Sequence, residues 1–134
     1  AQYAAAVALT NGEEYMQGMA REFDARRKLM HGLINQVPGL RANLPRGAFY
    51  MMLNIEGALG KALPGKEPIR GSVDFAAQLL DAEKVAVVPG KGFGADGYAR
   101  LSYAVSQKNI RKGIERIAHF MQSLRNSNDH DKRR

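Results

Sequence analysis

The stretch Val85-Ala86-Val87-Val88-Pro89-Gly90-Lys91-Gly92-Phe93-Gly94-Ala95-Asp96-Gly97-Tyr98-Ala99-Arg100-Leu101-Ser102-Tyr103-Ala104-Val105 decides the fold. Its two ends are short runs rich in β-branched, aromatic and other apolar residues, the composition of strands. Between them Pro89 and four glycines mark a wide connection, so residues 85–88 and 98–105 pair as an antiparallel hairpin. The first run has no polar residue and reads as a buried strand. In the second, alternation puts Tyr98, Arg100 and Ser102 on one face and Ala99, Leu101 and Tyr103 on the other.

Helical patterns flank this hairpin. Upstream, Ser72 caps a helix over 73–83 that carries Asp74 in its first turn and Phe75, Ala76, Leu79 and Leu80 along one face. Downstream, Ser106 caps a last helix with an apolar stripe of Ile110, Ile114, Ile117, Ala118, Met121 and Leu124. Residues 48–55 form a further strand, entered through Leu44-Pro45-Arg46-Gly47. The glycine- and proline-bearing segment 57–71 is a loop with room for one helical turn.

At the start, 1–9 is a helix broken at Thr10-Asn11-Gly12, and Asn11 is placed to cap the next one. That second helix opens with Glu13 and Glu14, favoured by its dipole. It presents Tyr15, Met16, Met19, Phe23, Met30, Leu33 and Ile34 at helical spacing, and Val37-Pro38-Gly39 ends it. The order helix, helix, strand, helix, strand, strand, helix is that of an α+β fold. It predicts a small antiparallel or mixed sheet of about three strands with helices on one face.

A chain of 134 residues fits one domain, and 45% apolar with 25% charged residues is ordinary globular usage. With no cysteine, disulfides, zinc–thiolate sites and thiol catalysis are excluded. No apolar run approaches the ~20 residues of a membrane-spanning helix, and the expected compartment is the cytoplasm. The first residue, Ala1, falls inside a helical pattern and reads as a truncation boundary. The net charge of +7 raises the possibility of nucleic-acid binding. From Ser106 onward, however, eight Lys and Arg face three acids, so much of the excess lies on one helix and a tail, 126–134, expected to be disordered. Solvated surface accounts for that distribution without a polyanion.

Few residues invite chemistry. Gly90-Lys91-Gly92-Phe93-Gly94 hints at a phosphate loop, but Ala95 stands where the dinucleotide fingerprint needs its third glycine, and a strand follows instead of a helix. Gly57-Ala58-Leu59-Gly60-Lys61 lacks the full phosphate-loop spacing and its Ser or Thr. His31, His119 and His130 are scattered with no matching acids, so no metal site is expected. Arg100 leaves two readings open. A guanidinium held on a strand among apolar neighbours is a planar fork suited to bidentate capture of a carboxylate, and an arginine on a half-wet strand face is also ordinary surface. Tyr50 and Asn54, on the neighbouring strand, read as structural.

Three stretches together resemble the class I and II aminotransferases of fold type I: Pro45-Arg46-Gly47-Ala48-Phe49-Tyr50, then Val85-Ala86-Val87-Val88-Pro89-Gly90 continuing to Phe93-Gly94, then Tyr98-Ala99-Arg100-Leu101-Ser102-Tyr103-Ala104. Their order and spacing, followed by the isoleucine-striped helix, make the likeness specific. Ala1-Gln2-Tyr3-Ala4-Ala5 also resembles the helix that precedes the small domain in aspartate-aminotransferase-like members.

The resemblance implies that residues 1–12 end a large-domain or interdomain helix and that 13–125 form the C-terminal small domain. It implies that Arg100 binds the substrate α-carboxylate while the domain closes over the active site. The implied parent is a homodimer that uses pyridoxal 5'-phosphate to move an amino group, with L-aspartate the leading donor, to a 2-oxo acid. The family's Schiff-base lysine and its cofactor-holding residues lie upstream of these motifs; Lys61, Lys84 and Lys91 do not sit in the motif around the catalytic lysine. No catalytic, cofactor-binding or metal-binding residue is therefore expected within 1–134, and the chain alone is expected to be inactive. Two alternatives stand beside this reading: a non-catalytic α+β binding module using its basic helix, and the small domain of a related fold-type I lyase or synthase.

Overall fold

Strand β5 (Tyr98–Ser102) organises the sheet, pairing antiparallel with β2 (Tyr50–Asn54) on one side and with β4 (Val88–Pro89) on the other. Strand β1 (Arg41–Ala42) adds to the far edge of β2, giving the order β1-β2-β5-β4. The computed structural model describes residues 1–126. Helices α1 (Gln2–Asn11), α2 (Glu13–Ile34), α3 (Ser72–Glu83) and α4 (Gln107–Ser123) complete the α+β architecture, together with a short ribbon of β3 (Lys61–Ala62) and β6 (Arg125–Asn126).

The pleat sorts the sheet into two faces. Met51, Leu53, Ala99 and Leu101 are buried on one, where they join Met30 and Ile34 of α2, Phe75 and Leu79 of α3, and the stripe Ile110, Ile114, Ile117, Phe120 and Met121 of α4. Phe75 and Phe120 meet edge-on with ring centroids 5.6 Å apart, which fastens α3 to α4. Full burial of such side chains contributes about 1.5–3 kcal/mol each. The opposite face carries Tyr50, Met52, Asn54, Tyr98 and Arg100, which are half-buried or exposed.

Several expectations are corrected. The sheet has four strands rather than about three, because β1 is only two residues long and leaves no periodic signal. Residues 85–88 are not a buried strand. Pairing is limited to Val88–Pro89, and Val88 is exposed because β4 is an edge strand. Strand 48–55 shortens to Tyr50–Asn54, and Ala48 turns instead with φ +56°. Strand 98–105 likewise ends at Ser102.

Asn11 does not cap α2; Gly12 takes that place with near-helical backbone, donating to Ala8 O and accepting from Met16 N. The apolar stripe of α2 is covered only from Phe23 onward. Tyr15, Met16 and Met19 are exposed and stand outside the core cluster. Leu80 also faces solvent, and Phe120, absent from the expected stripe, is fully buried. Ser106 caps α4 as expected, its hydroxyl accepting from Asn109 N at 3.2 Å. Ser72 does not cap α3 with its side chain, because its hydroxyl donates to Asp96 Oδ1 instead. Asn126 pairs with Lys61 and so does not begin a disordered tail; the rest of that expected tail, 127–134, with His130, lies outside the described residues.

Candidate functional site

Arg100 occupies the middle of β5, opposite Met52 of β2 and Val88 of β4, so three strands fix its backbone. Alternation, with Ala99 and Leu101 buried on either side, sends its side chain to the open face. There the guanidinium carbon lies 4.2 Å from the centroid of the Tyr50 ring and 4.7 Å from that of Phe93. Two aromatic π clouds attract the cation and restrict its rotamers without using its N–H donors. None of the ion pairs among the described residues includes Arg100. The result is a half-buried fork with its donors free for a planar anion.

The residues around the fork are braced from below. Tyr50 contacts Phe49, with centroids 4.4 Å apart, and Phe49 packs against Phe23 of α2. Phe23 in turn meets Tyr103. The Tyr103 hydroxyl donates to Ala48 O at 2.7 Å and its N–H to Phe49 O at 2.9 Å. Ala48 holds φ +56°, a conformation that costs about a kcal/mol or more in a non-glycine residue and persists where its surroundings fix it. Tyr103 supplies that fixation, and the strand entry leading to Tyr50 follows from it.

Phe93 arrives from the other direction. It ends the single 3-10 turn Gly90–Phe93 in the hairpin loop between β4 and β5. Asp96, later in that loop, accepts from Ser72 through both the hydroxyl, at 2.6 Å, and the backbone N–H, at 2.9 Å. The Ser72 hydroxyl bond above all, then the Ser72 N–H, holds the Asp96 carboxyl below the usual aspartate range; the charge of Lys91 adds to this. Three of the loop's own N–H groups are engaged within the fold: Lys91 N donates to Ser72 Oγ, Gly94 N to Lys91 O and Ala95 N to Gly90 O.

A groove continues along the same face past Arg41, Asn43, Met52, Asn54 and Tyr98. Asn54 Oδ1 accepts from Glu56 N at 3.0 Å. Tyr50, read as structural, has its ring against the Arg100 guanidinium. Sequence reasoning did not find that contact, nor the one from Phe93. The signal for Tyr50 lay in the β2–β5 register, which pairs Tyr50 with Ser102, two residues from Arg100 on the same face. His119 Nδ1 lies 2.6 Å from Glu83 Oε1, and no group of three or more metal-binding side chains forms among the described residues. No helix among them is long and apolar enough to cross a membrane.

The described lysines are exposed except for half-buried Lys61, which lies on the β3–β6 ribbon apart from the sheet that carries Arg100. A lysine that forms an imine at neutral pH requires a desolvated or electropositive pocket; the exposed lysines are not desolvated, and as arranged the described residues do not fit a complete pyridoxal phosphate site.

Comparison with known proteins bears on this geometry. The model of the family "Aminotransferase class I and II" matches residues 1–117. An aspartate aminotransferase of Rhizobium meliloti (strain 1021) is 40% identical over 116 residues, covering 86% of this chain and 28% of that protein. A probable aspartate/prephenate aminotransferase of Rhizobium leguminosarum bv. phaseoli is 36% identical over 120 residues, 90% of this chain and 30% of its own length. The crystal structure of the Rhizobium meliloti aspartate aminotransferase superposes with a TM-score of 0.88 at 37% identity, over 92% of this chain and 31% of that one. The chain thus spans about three-tenths of the length of the relatives it matches.

Proposed function

Because the chain belongs to the aminotransferase class I and II family, we propose that it is the C-terminal small domain of a pyridoxal-phosphate-dependent aminotransferase and that Arg100 grips the substrate α-carboxylate. The observation that carries this reading is the guanidinium held between Tyr50 and Phe93 with no carboxylate of its own among the described residues. Two parallel N–H···O bonds from a guanidinium are charge-assisted and fix orientation as well as affinity. A rigid strand presents them, and the two rings shield the fork from water on its sides, which strengthens each bond. Turning the substrate by its carboxylate sets the position of its Cα, where proton transfer has to occur.

The cofactor belongs to the part of the protein outside this chain, in keeping with the lysine positions described above. The proposed donor is L-aspartate and the proposed acceptor a 2-oxo acid, readings that lean on the names of the relatives. The exposed stripe of Tyr15, Met16 and Met19, continued by Tyr3 and Leu9 on α1, supports a further element of this reading. We assign residues 1–12 to the end of a helix shared with the large domain and 13–125 to the small domain, with a homodimer as the parent assembly.

The test is Arg100→Ala in the full-length protein. Catalytic efficiency with every amino-acid donor should fall by roughly 100-fold or more, as expected for two charge-assisted hydrogen bonds, while the cofactor's absorbance is retained. Unchanged efficiency rules out Arg100 as the carboxylate site.

A further inference from the structure

We propose that Ser72 and Asp96 are positioning residues that latch the 90–97 loop to the start of α3 and thereby hold Phe93 against Arg100. The inference rests on the reading of Arg100 as the carboxylate-binding residue and adds how that residue is kept ready.

The loop is costly to order. Gly90, Gly92, Gly94 and Gly97 lie within eight residues, and glycine loses more backbone freedom on folding than any other residue. Phe93 is half exposed and follows directly on such glycines, so its packing alone does not hold it over the guanidinium. Its restraint comes from either side. Ser72 is fully buried and the one buried polar residue among those described. Its hydroxyl accepts from Lys91 N at 3.0 Å and donates to Asp96 Oδ1 at 2.6 Å, while its own N–H reaches the same oxygen at 2.9 Å. One side chain therefore fastens the loop two residues before Phe93 and three residues after it.

The close approach is built into the neighbouring backbone. A Cβ at Gly71 would lie 2.7 Å from Asp96 Oδ2, and one at Gly90 would lie 2.1 Å from Ala95 O. Asp96 also sits where the positive end of α3 favours an anion. A cap for α3 would need only the bond from Ser72 N to Asp96. The hydroxyl bond and its acceptance from Lys91 N close the far side of the loop as well, and those two contacts serve Phe93 rather than the helix.

Full-length protein with its cofactor provides the test, using Ser72→Ala, Asp96→Asn, Phe93→Ala and the double variant Ser72→Ala with Phe93→Ala. Ser72→Ala and Phe93→Ala should each raise the KM for the amino-acid donor by roughly five-fold with a smaller change in kcat. In the double variant the increases should be non-additive, as for residues acting in one unit. Asp96→Asn, a change at an exposed side chain, should raise KM in the same direction and keeps the test open if Ser72→Ala fails to fold. A lowered melting temperature with KM unchanged in both latch variants overturns the proposal, as does simple additivity with Phe93→Ala. Arg100→Ala measured in parallel separates the two ideas. If it leaves KM and efficiency untouched, the carboxylate reading itself fails; if it abolishes activity while the latch variants do nothing to KM, only the latch fails.

Discussion

The guanidinium of Arg100 and the ring of Tyr50, on neighbouring strands whose register sets Met52 opposite Arg100 and Tyr50 opposite Ser102, share one sheet face and approach to 4.2 Å. A cation–π contact of this kind contributes about 0.5–2 kcal/mol, depending on how well water is excluded. We expect Tyr50→Phe to leave the KM for the amino-acid donor within about two-fold and Tyr50→Ala to raise it by roughly three- to ten-fold. Steady-state kinetics of the full-length protein check this, and equal effects of the two changes would point to the hydroxyl instead of the ring.

Replacing the fork with a point charge is a sharper test of geometry than removing it. Arg100→Lys keeps the charge but cannot make two parallel hydrogen bonds from one plane. Efficiency should still fall by roughly 10-fold or more. Near-normal activity in Arg100→Lys would mean that charge alone suffices at this position.

Incubation of the 134-residue chain with pyridoxal phosphate, followed by borohydride reduction and mass spectrometry, should give no stoichiometric adduct at a single lysine. Its described lysines are exposed except for half-buried Lys61. Specific trapping at one site would overturn that expectation.

Asp96 predicts a pH dependence. Its carboxyl is held below the usual aspartate range by hydrogen bonds from Ser72. A carboxyl with a lower pKa in the folded than in the unfolded state adds stability above the unfolded value, about 3.9, and that stability is lost as pH falls through the folded value. Asp96→Asn should therefore be less stable than the parent chain at neutral pH, and the difference should shrink below about pH 4. Denaturant titrations at several pH values measure it; a difference that stays constant into acid would sink the assignment.

Stability should be most sensitive at the two places where the helices and the strand entry are fastened. Phe120 is fully buried against Phe75, so Phe120→Ala should cost about 3–5 kcal/mol in a urea melt. Tyr103→Phe removes only the donor to Ala48 O and should cost about 1–2 kcal/mol. A smaller loss at Phe120 than at Tyr103 would contradict the packing described.

Much of this protein could be read from its residues because the signals were local. Period-two alternation through Tyr98–Ser102 put Arg100 on the open face and Ala99 and Leu101 in the core, and the 3.6-residue stripe of α4 found Ile110, Ile114 and Ile117. Ser106 announced its helix as an N-cap. The α+β class followed from the hairpin, and the family resemblance from motifs in fixed order. Where local signals were weak or misleading, reading failed: two-residue β1 has no period, and the apolar side chains of early α2 stay exposed.

What only the tertiary structure decided is who meets whom across the chain. Tyr50 and Phe93 reach Arg100 from positions 50 and 7 residues away in sequence, through strand register and a folded loop that no periodicity encodes. Ser72 looked like a helix cap because serine before an apolar run usually is one, yet its hydroxyl is turned to Asp96 and Lys91, 24 and 19 residues on. Sequence fixes the propensities of each segment and the face each side chain takes; burial of a shared core then chooses the pairings, and the site is made of those pairings.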